Sequence, residues 1–297
     1  MSNTTPDRVT IIEVGPRDGL QNDPRLFPVD ARVAFIEALT AAGATVIETG
    51  AFVSPKAVPQ MASSDEVMQR LDRKPGVRYL NLVPNEKGYD RAREVGVDAI
   101  ALFASATEAF SQANIRASID ESFARFAPVV ARAKTDGVWV RGYVSVAFHC
   151  PYAGVTDPND AVAVAEQLLD LGCDEISIAD TIGHAVPAEV DRLLDLAIGP
   201  IPLDRLALHL HDTGGRALDN VDAALAHGVT IFDSAAGGMG GCPYAPGAPG
   251  NLGTEALVRH LERRGIATGI DADAVTRAVE ALVDQAVTTD PPPQTPP

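Results

Sequence analysis

The sequence predicts a single (β/α)8 TIM barrel, and three observations favour this fold class. Short apolar runs alternate with amphipathic stretches along almost the whole chain, and this alternation predicts parallel strands joined by helices. Eight runs of each kind give the count of a closed barrel, although a doubly wound open sheet would show the same alternation. At 297 residues the chain has the length at which α/β barrels form one domain.

The predicted strands are short, apolar and bounded by turn residues. They cover residues 9–14, 45–48, 77–82, 99–103, 139–146, 175–179, 206–210 and 230–234. The predicted helices carry an apolar face at helical spacing. They cover residues 29–42, 64–71, 85–95, 118–134, 157–171, 187–197, 217–226 and 254–263. Glycines such as Gly43 and Gly172 stand between a helix and the next strand, where a left-handed helix C-cap is favoured.

One further amphipathic helix is predicted over residues 271–286, and the proline-rich residues after it are expected to be disordered. We therefore predict one barrel domain, residues 1–287, followed by a tail, residues 288–297. The sequence shows no second domain and no internal repeat beyond the βα period itself.

Charge and cysteine content limit the classes of function. The formal net charge is −16 and no lysine- or arginine-rich run occurs, so the footprint of a nucleic-acid-binding protein is absent. The 3 cysteines lack Cys-x-x-Cys spacing and fit a reducing compartment better than a disulfide framework. Because no secretory, transit or membrane-spanning segment is recognisable, we expect a cytoplasmic protein without membrane attachment.

Polar residues of chemical interest fall at one end of the predicted barrel. Each of them ends or follows a strand, and the carboxyl ends of the strands form the face on which barrel enzymes carry their active sites. These residues are Arg17, Asp18, Glu48, Asp180, His209, His211, Cys242 and Asn251. Their common position is the argument that they form one site.

His209 and His211 are the strongest of these candidates. Side chains alternate between the two faces of a strand, so both imidazoles point the same way at the end of the strand over residues 206–210. A histidine pair on an internal strand can be structural, but the Asp-Thr-Gly turn directly after it favours a metal site. Glu48 ends a strand that a parallel barrel buries, so its carboxylate needs a partner.

The other candidates have ordinary alternatives. Asp18 and Asp180 are of a type that caps turns and helices, and Arg17 alone would be typical of a surface ion pair. A buried inert thiol is the usual state of a residue such as Cys242. The glycine-rich stretch before it lacks the Gly-Lys-Ser/Thr ending of a phosphate-binding loop, so a mobile lid over the barrel mouth is the favoured role.

Several segments of the chain resemble the 3-hydroxy-3-methylglutaryl-CoA lyases, a family of metal-dependent barrel lyases. They read VGPRDGLQN (residues 14–22), VIET and FVSPK (46–49 and 52–56), DTIG (180–183), HLHDT (209–213), and GGCPYAPGA with GNL (240–248 and 250–252). The match spans almost the whole chain up to the tail. The cysteine loop is its specific part, because a wider group of barrel lyases and synthases shares only the Arg-Asp and His-x-His elements.

The resemblance implies a ligand set and roles for the remaining residues. By similarity a divalent cation, Mg²⁺ or Mn²⁺, is held by Asp18, His209, His211 and Asn251. The family's catalytic arginine and lid cysteine match Arg17 and Cys242. A catalytic-site carboxylate matches Asp180, and Glu48 is expected close by.

The implied reaction is retro-Claisen cleavage of 3-hydroxy-3-methylglutaryl-CoA, an acyl-CoA substrate, to acetyl-CoA and acetoacetate within leucine breakdown. A base takes the proton of the C3 hydroxyl, and either Asp180 or His209 is expected to serve. Arg17 is expected where the enolate oxygen develops its charge, and Cys242 is the expected proton donor to the enolate carbon. We further expect a homo-oligomer, namely a dimer.

Departures from the family pattern concern the substrate. Gly50 and Ala51 stand where hydroxyl-bearing residues are expected, and His149 replaces a usual glycine. Gly215 and Arg216 precede the helix after His211, where an aromatic before the glycine and a glutamine after it are expected. Loss of these groups would enlarge the acyl pocket. The alternatives are therefore a lyase for a related 3-hydroxy-3-alkylglutaryl-CoA and, less favoured, a Claisen-type synthase or a non-catalytic binding barrel.

Overall fold

The predicted barrel is present in the computed structural model, which describes residues 6–240 and 250–287. Its parallel strands are β1 Thr10–Glu13, β2 Val46–Ala51, β3 Arg78–Leu82, β4 Ala99–Ser105, β5 Trp139–Ser145, β8 Glu175–Asp180, β9 Leu206–Leu210 and β10 Ile231–Ser234. Two further strands, β6 His149–Cys150 and β7 Gly154–Val155, form a separate hairpin. Around the barrel the order is β1-β10-β9-β8-β5-β4-β3-β2, so the last strand closes on the first.

Helices connect the barrel strands. They are α1 Val29–Ala41, α2 Ser64–Arg70, α3 Glu86–Glu94, α4 Glu108–Ile115, α5 Ile119–Thr135, α6 Pro158–Leu171, α7 Pro187–Ala197, α8 Ala217–Ala226, α9 Thr254–Arg263 and α10 Ala272–Val283. Helix α4 was not predicted. It is short and ends at Arg116 in a left-handed conformation, so the glycine that marked the other helix ends is missing. The hairpin was also missed, because two-residue strands carry no alternating pattern.

The two faces of a barrel strand have different surroundings: one face packs against the helices and the other points into the barrel interior. On β9 the side chains of Leu206, Leu208 and Leu210 are buried in the apolar layer beneath the helices. The alternate residue Ala207 belongs instead to a separate cluster with Ile231. His209 follows Ala207 on the same face by strand alternation, so the barrel interior carries the polar residues.

The extra helix predicted over residues 271–286 is present as α10, and it packs against α1. Asp271 caps it by accepting hydrogen bonds from the backbone N–H groups of Asp273 and Ala274. Gly43, at φ +104°, lies so close to this connection that a Cβ would stand 2.1 Å from the carbonyl oxygen of Gly269. The predicted disorder of residues 288–297 lies outside the described residues. Within those residues, no helix is both long and apolar enough to cross a membrane.

Candidate active site at the carboxyl ends of the strands

His209 and His211 lie side by side at the end of β9, with ring centroids 5.2 Å apart. Each residue is only 7% exposed. Asp18 completes a cluster with them, because one ligand atom from each of the three residues lies within 4.8 Å of the others. The alternation that placed both imidazoles on one face is therefore confirmed.

Asp18 reaches this cluster through a compact turn after β1. The backbone N–H groups of Arg17, Asp18 and Gly19 all donate to the carbonyl oxygen of Val14, which gives a π-helical turn over Gly15–Gly19. Single π-helical turns are frequent at functional sites. The turn buries Arg17 and directs Asp18 toward the histidines.

Asn251 is held beside His211 by backbone pairing. The N–H of Asp212 donates to the carbonyl oxygen of Gly250 at 2.7 Å, and the N–H of Leu252 donates to Leu210 at 3.0 Å. The amide nitrogen of Asn251 then donates to Asp18 Oδ2 at 2.9 Å. All four residues predicted as ligands thus meet at one place, although they come from three separate segments of the chain.

A carboxylate on the neighbouring strand orients His209. Its Nδ1 lies 3.1 Å from Oδ2 of Asp233, so a hydrogen on Nδ1 is accepted there and Nε2 is left for another partner. Asp233 also accepts hydrogen bonds from Arg141 Nη2 at 2.7 Å and from Ser177 Oγ at 3.1 Å. The ring orientation is therefore fixed by a buried network.

Arg17 connects this network to the turn after β1. Its Nη1 donates to Asp18 at 2.5 Å, and its Nη2 lies 2.7 Å from Oε2 of Glu48. Tyr143 lies beneath the guanidinium, which is 5.8 Å from the ring centroid, and its hydroxyl donates to Glu48 at 3.4 Å. Glu48 thus has the partner that its burial required.

The surroundings of the cluster favour the protonation states in which Asp18 and His211 can bind a cation. Burial alone would raise the pKa of Asp18, but Arg17, His209 and His211 lower it below the usual value, so the group is ionised. Burial lowers the pKa of His211 to about 4, and His209 adds to the shift. Burial likewise opposes protonation of His209, but its hydrogen bond to Asp233 raises the pKa above the usual value.

Unpartnered atoms in this cluster fit a bound cation. Among the described residues, His211 Nδ1 and Asn251 Oδ1 are buried without a hydrogen-bond partner. Buried polar atoms are rarely left unpaired, so such atoms side by side with an ionised carboxylate call for a ligand. Carboxylate, amide oxygen and imidazole together form a donor set that suits a divalent cation. The residues therefore fit a metal ion.

Asp180 lies apart from this cluster. Its two carboxylate oxygens accept hydrogen bonds from the backbone N–H groups of His184 and Ala185, at 3.1 and 2.9 Å. Burial raises its pKa, and these hydrogen bonds oppose the rise. The geometry is that of a residue capping the turn after β8, which was the alternative interpretation of this position. Cys242, by contrast, lies outside the described residues.

A cavity of about 490 Å³ opens over the cluster. Arg17, Asp18, His209 and His211 line one part of it. Its other walls are largely apolar and come from β3, β4, α4, α5 and the segment after β2, with lining residues that include Val58, Leu82, Phe103, Phe110 and Phe126. Arg125 adds a second guanidinium at this cavity. The lining is therefore not acidic, although the whole chain carries a net charge of −16.

Sequence reasoning missed several residues that support the site. Arg141, Tyr143 and Asp233 are buried on barrel strands, and none of them was singled out. A charged residue within a strand that a parallel barrel buries was the available signal. That argument was applied to Glu48 and would have found Arg141 and Asp233 in the same way.

A closed parallel barrel with an arginine and a carboxylate–imidazole cluster at the carboxyl ends of its strands defines a barrel enzyme with a metal-type site. The HMGL-like family model matches residues 8–283, and the chain therefore belongs to the HMGL-like family. The expected family relationship is confirmed.

Similar proteins agree with this assignment. The chain is 50% identical to the hydroxymethylglutaryl-CoA lyase of Pseudomonas mevalonii, over 91% of this chain and 89% of that protein. It is 46% identical to the 3-hydroxy-3-isohexenylglutaryl-CoA/hydroxymethylglutaryl-CoA lyase of Pseudomonas aeruginosa, over 93% and 92% of the two chains. A solved HMG-CoA lyase of Acinetobacter baumannii, in complex with coenzyme A and 3-methylmalate, matches with a TM-score of 0.89 at 39% identity, over 94% and 92%.

Proposed function

We propose that the chain is a divalent-metal-dependent carbon–carbon lyase that cleaves 3-hydroxy-3-methylglutaryl-CoA to acetyl-CoA and acetoacetate. The observation that carries the proposal is the meeting of Arg17 with the cluster of Asp18, His209 and His211 in one cavity. The relatives named as hydroxymethylglutaryl-CoA lyases, at up to 50% identity over most of the chain, support the substrate.

The cation proposed for this site is Mg²⁺ or Mn²⁺, held by Asp18, His209, His211 and Asn251. Their donor atoms and the unpartnered buried atoms of His211 and Asn251 support this assignment. When bound, the ion supplies Lewis acidity to the oxygen atoms of the substrate.

The remaining steps of the reaction are assigned to side chains of the protein. The C3 hydroxyl loses its proton to a base, the electron pair of the C2–C3 bond moves onto the acetyl-CoA fragment as an enolate, and C3 becomes the ketone of acetoacetate. We assign Arg17 to stabilising the enolate oxygen, and the two carboxylates that fix its guanidinium in position support this role. Its fixed geometry avoids reorganisation during the reaction.

Of the two residues considered as the base, His209 lines the cavity, whereas both oxygens of Asp180 accept backbone N–H groups. We assign the base to His209 in the form in which its Nε2 would not hold the cation, because an imidazole with its Nδ1 hydrogen on Asp233 and its Nε2 on a metal has no free lone pair. Asp233 then stabilises the cationic ring that proton uptake would produce. Asp180 is assigned to holding the turn after β8. Cys242 keeps the role that the family resemblance implies, donation of a proton to the enolate carbon.

Chelation tests the metal dependence directly. Dialysis against EDTA should abolish cleavage, and added Mg²⁺ or Mn²⁺ should restore it, with acetyl-CoA and acetoacetate measured as products. Full turnover by protein freed of metal would contradict the proposal.

A second candidate substrate carries a longer alkyl group at C3. The apolar wall of the cavity, with Leu82, Phe103 and Phe126, offers a surface that a methyl group would not cover. The Pseudomonas aeruginosa relative is named for an isohexenyl as well as a methyl substrate. The ratio of kcat/KM for the two glutaryl-CoA esters decides between them, with the released keto acid identified by mass spectrometry.

We further propose that the enzyme works in leucine breakdown in the cytoplasm, as a homodimer, without nucleic-acid or membrane partners. The family resemblance and the net charge of −16 support these assignments. Light scattering coupled to gel filtration tests the dimer, and a monomeric mass in the active fraction would contradict it.

A further inference from the structure

Glu13 takes no part in the proposed chemistry, yet it is hydrogen-bonded to the chain segments that carry two of the proposed ligands, Asp18 and Asn251. The residue ends β1 and is 1% exposed. Its Oε1 accepts hydrogen bonds from the backbone N–H groups of Gly15 at 2.7 Å and Ala236 at 2.9 Å. Its Oε2 accepts from the hydroxyl of Thr254 at 2.6 Å. One buried carboxylate therefore serves three donors that are distant in sequence.

These donors belong to the segments that carry Asp18 and Asn251. Gly15 opens the π-helical turn on which Asp18 lies. Ala236 begins the short turn that leads to Met239, whose carbonyl oxygen accepts a hydrogen bond from the Asn251 amide at 3.0 Å. Thr254 begins α9, three residues after Asn251. Glu13 thus contacts the chain before and after Asn251, and it also contacts the residue that begins the turn carrying Asp18.

The two turns also pack closely on each other. A Cβ on Gly15 would stand 2.6 Å from Glu13 Oε1 and 3.2 Å from the nitrogen of Ala236. A Cβ on Gly19 would stand 3.0 Å from the Cβ of Met239. No side chain fits between the turns at these places, so Glu13 and the two backbones form one close-packed unit.

We propose that Glu13 is a positioning residue that fixes the separation of Asp18 and Asn251, so that the ligand set exists before any ligand binds. Buried backbone N–H groups need acceptors, and Oε1 of Glu13 is the acceptor for both Gly15 and Ala236, while Oε2 accepts from Thr254. The inference rests on the proposed metal-dependent function, and its test is chosen so that the two fail separately.

The test compares Mn²⁺ affinity, measured by calorimetry and by electron paramagnetic resonance, among matched variants. Glu13→Ala should weaken Mn²⁺ binding by about tenfold or more, the size of effect seen when groups that orient ligands are removed. Glu13→Gln should stay within about threefold of the unmodified protein, because its oxygen still accepts both backbone N–H groups. Leu194→Ala, in the fully buried core of α7, is the control that lowers the melting temperature without changing affinity.

Hydrogen exchange gives a second reading that needs neither metal nor turnover. In metal-free protein, Glu13→Ala should speed exchange in peptides covering residues 15–20 and 234–240, and Leu194→Ala should leave both unchanged. If Glu13→Ala does not fold, Glu13→Asp replaces it, since it keeps the carboxylate but retracts it by one methylene and is expected to weaken Mn²⁺ binding in the same way.

The outcomes separate the two claims. If the unmodified protein binds no Mn²⁺, the proposed function fails, and exchange still shows whether Glu13 holds the two turns. If Mn²⁺ binds the unmodified protein and folded Glu13→Ala or Glu13→Asp equally well, the positioning role is overturned and the metal site stands.

Discussion

The floor, defined here as Tyr143, which lines the cavity, with the buried residues Arg141, Ser177 and Asp233, has every side chain paired. Arg141 donates to Glu175, Tyr143 and Asp233, each at 2.7 or 2.8 Å, and both oxygens of Asp233 accept hydrogen bonds. At the rim, defined as Arg17, Glu48, His211 and Asn251, each residue keeps one buried polar atom without a partner among the described residues.

The difference between floor and rim separates structure from function in one cavity. A buried polar network that is fully satisfied stabilises a unique arrangement, whereas an unsatisfied buried group lowers stability. The unpartnered buried atoms of the rim therefore lower the stability of the folded protein, and a bound ligand can supply the missing partners. On this comparison, floor variants should change stability first and rim variants should change binding or catalysis first.

The largest expected effect is the loss of stability when the hydrogen-bond network of the floor is broken. Asp233→Ala removes the fully buried carboxylate that pairs with Arg141, so the guanidinium, which is 0% exposed, keeps Glu175 as its remaining carboxylate partner among the described residues. The free energy of unfolding should fall by roughly 3–5 kcal/mol, as urea titration would measure. The rim variant His211→Gln should cost about 1 kcal/mol or less in the same assay, because the Nδ1 atom has no bond to lose. Equal losses for the two variants would contradict the comparison.

The next effect concerns Arg17, which joins the rim to the floor over the ring of Tyr143. Arg17→Lys keeps a positive charge but loses the planar fork that contacts Asp18 and Glu48 together. We expect kcat to fall by about a hundredfold or more, with Mn²⁺ affinity changed much less. An unaltered kcat would show that the arginine has only a structural role.

A smaller effect is expected for metal binding at the rim. His211→Gln removes an imidazole whose lowered pKa of about 4 keeps it neutral and able to bind a cation. Mn²⁺ affinity should fall by at least about tenfold, while urea unfolding of the metal-free protein changes little. Unchanged affinity would remove His211 from the ligand set.

The sequence predicted the fold almost completely, because each barrel strand is a continuous apolar run between recognisable helices. It also placed His209 and His211 on one face of their strand, since strand alternation sets the direction of both side chains without any tertiary information. What it could not predict is contact between distant segments. Asn251 reaches Asp18 only through backbone pairing of Gly250 and Leu252 with the end of β9, and no local pattern encodes that pairing.

Asp180 shows a second limit of prediction from sequence, because it was predicted in the site but its carboxylate accepts hydrogen bonds from the turn after β8. Its place after a strand is the same as that of the rim residues, and the motif around it matches the family. Whether a carboxylate at such a place faces the cavity or the following turn depends on where nearby N–H groups point, and here His184 and Ala185 point at it. The same logic hid Glu13, whose three donors come from residues 15, 236 and 254.

The smallest expected effect, taken per pH unit, is a pH dependence of stability that belongs to Glu13. Burial raises its pKa from 4.5 to about 7, against the hydrogen bonds from Thr254, Ala236 and Gly15 that lower it. Between these two values the folded protein holds a proton that the unfolded chain has lost, so the contribution to stability is full below pH 4.5 and is lost as pH rises through 7. Relative to Glu13→Gln, which carries no such proton, the unmodified protein should therefore become less stable from pH 5 to pH 8, by roughly 1 kcal/mol per pH unit at most. Because other titrating groups act equally in both proteins, the difference between their urea-unfolding free energies isolates this one carboxyl group. Parallel profiles across the range would show that the three hydrogen-bond donors keep Glu13 ionised throughout. The close-packed unit would then contain a carboxylate instead of a protonated carboxyl group.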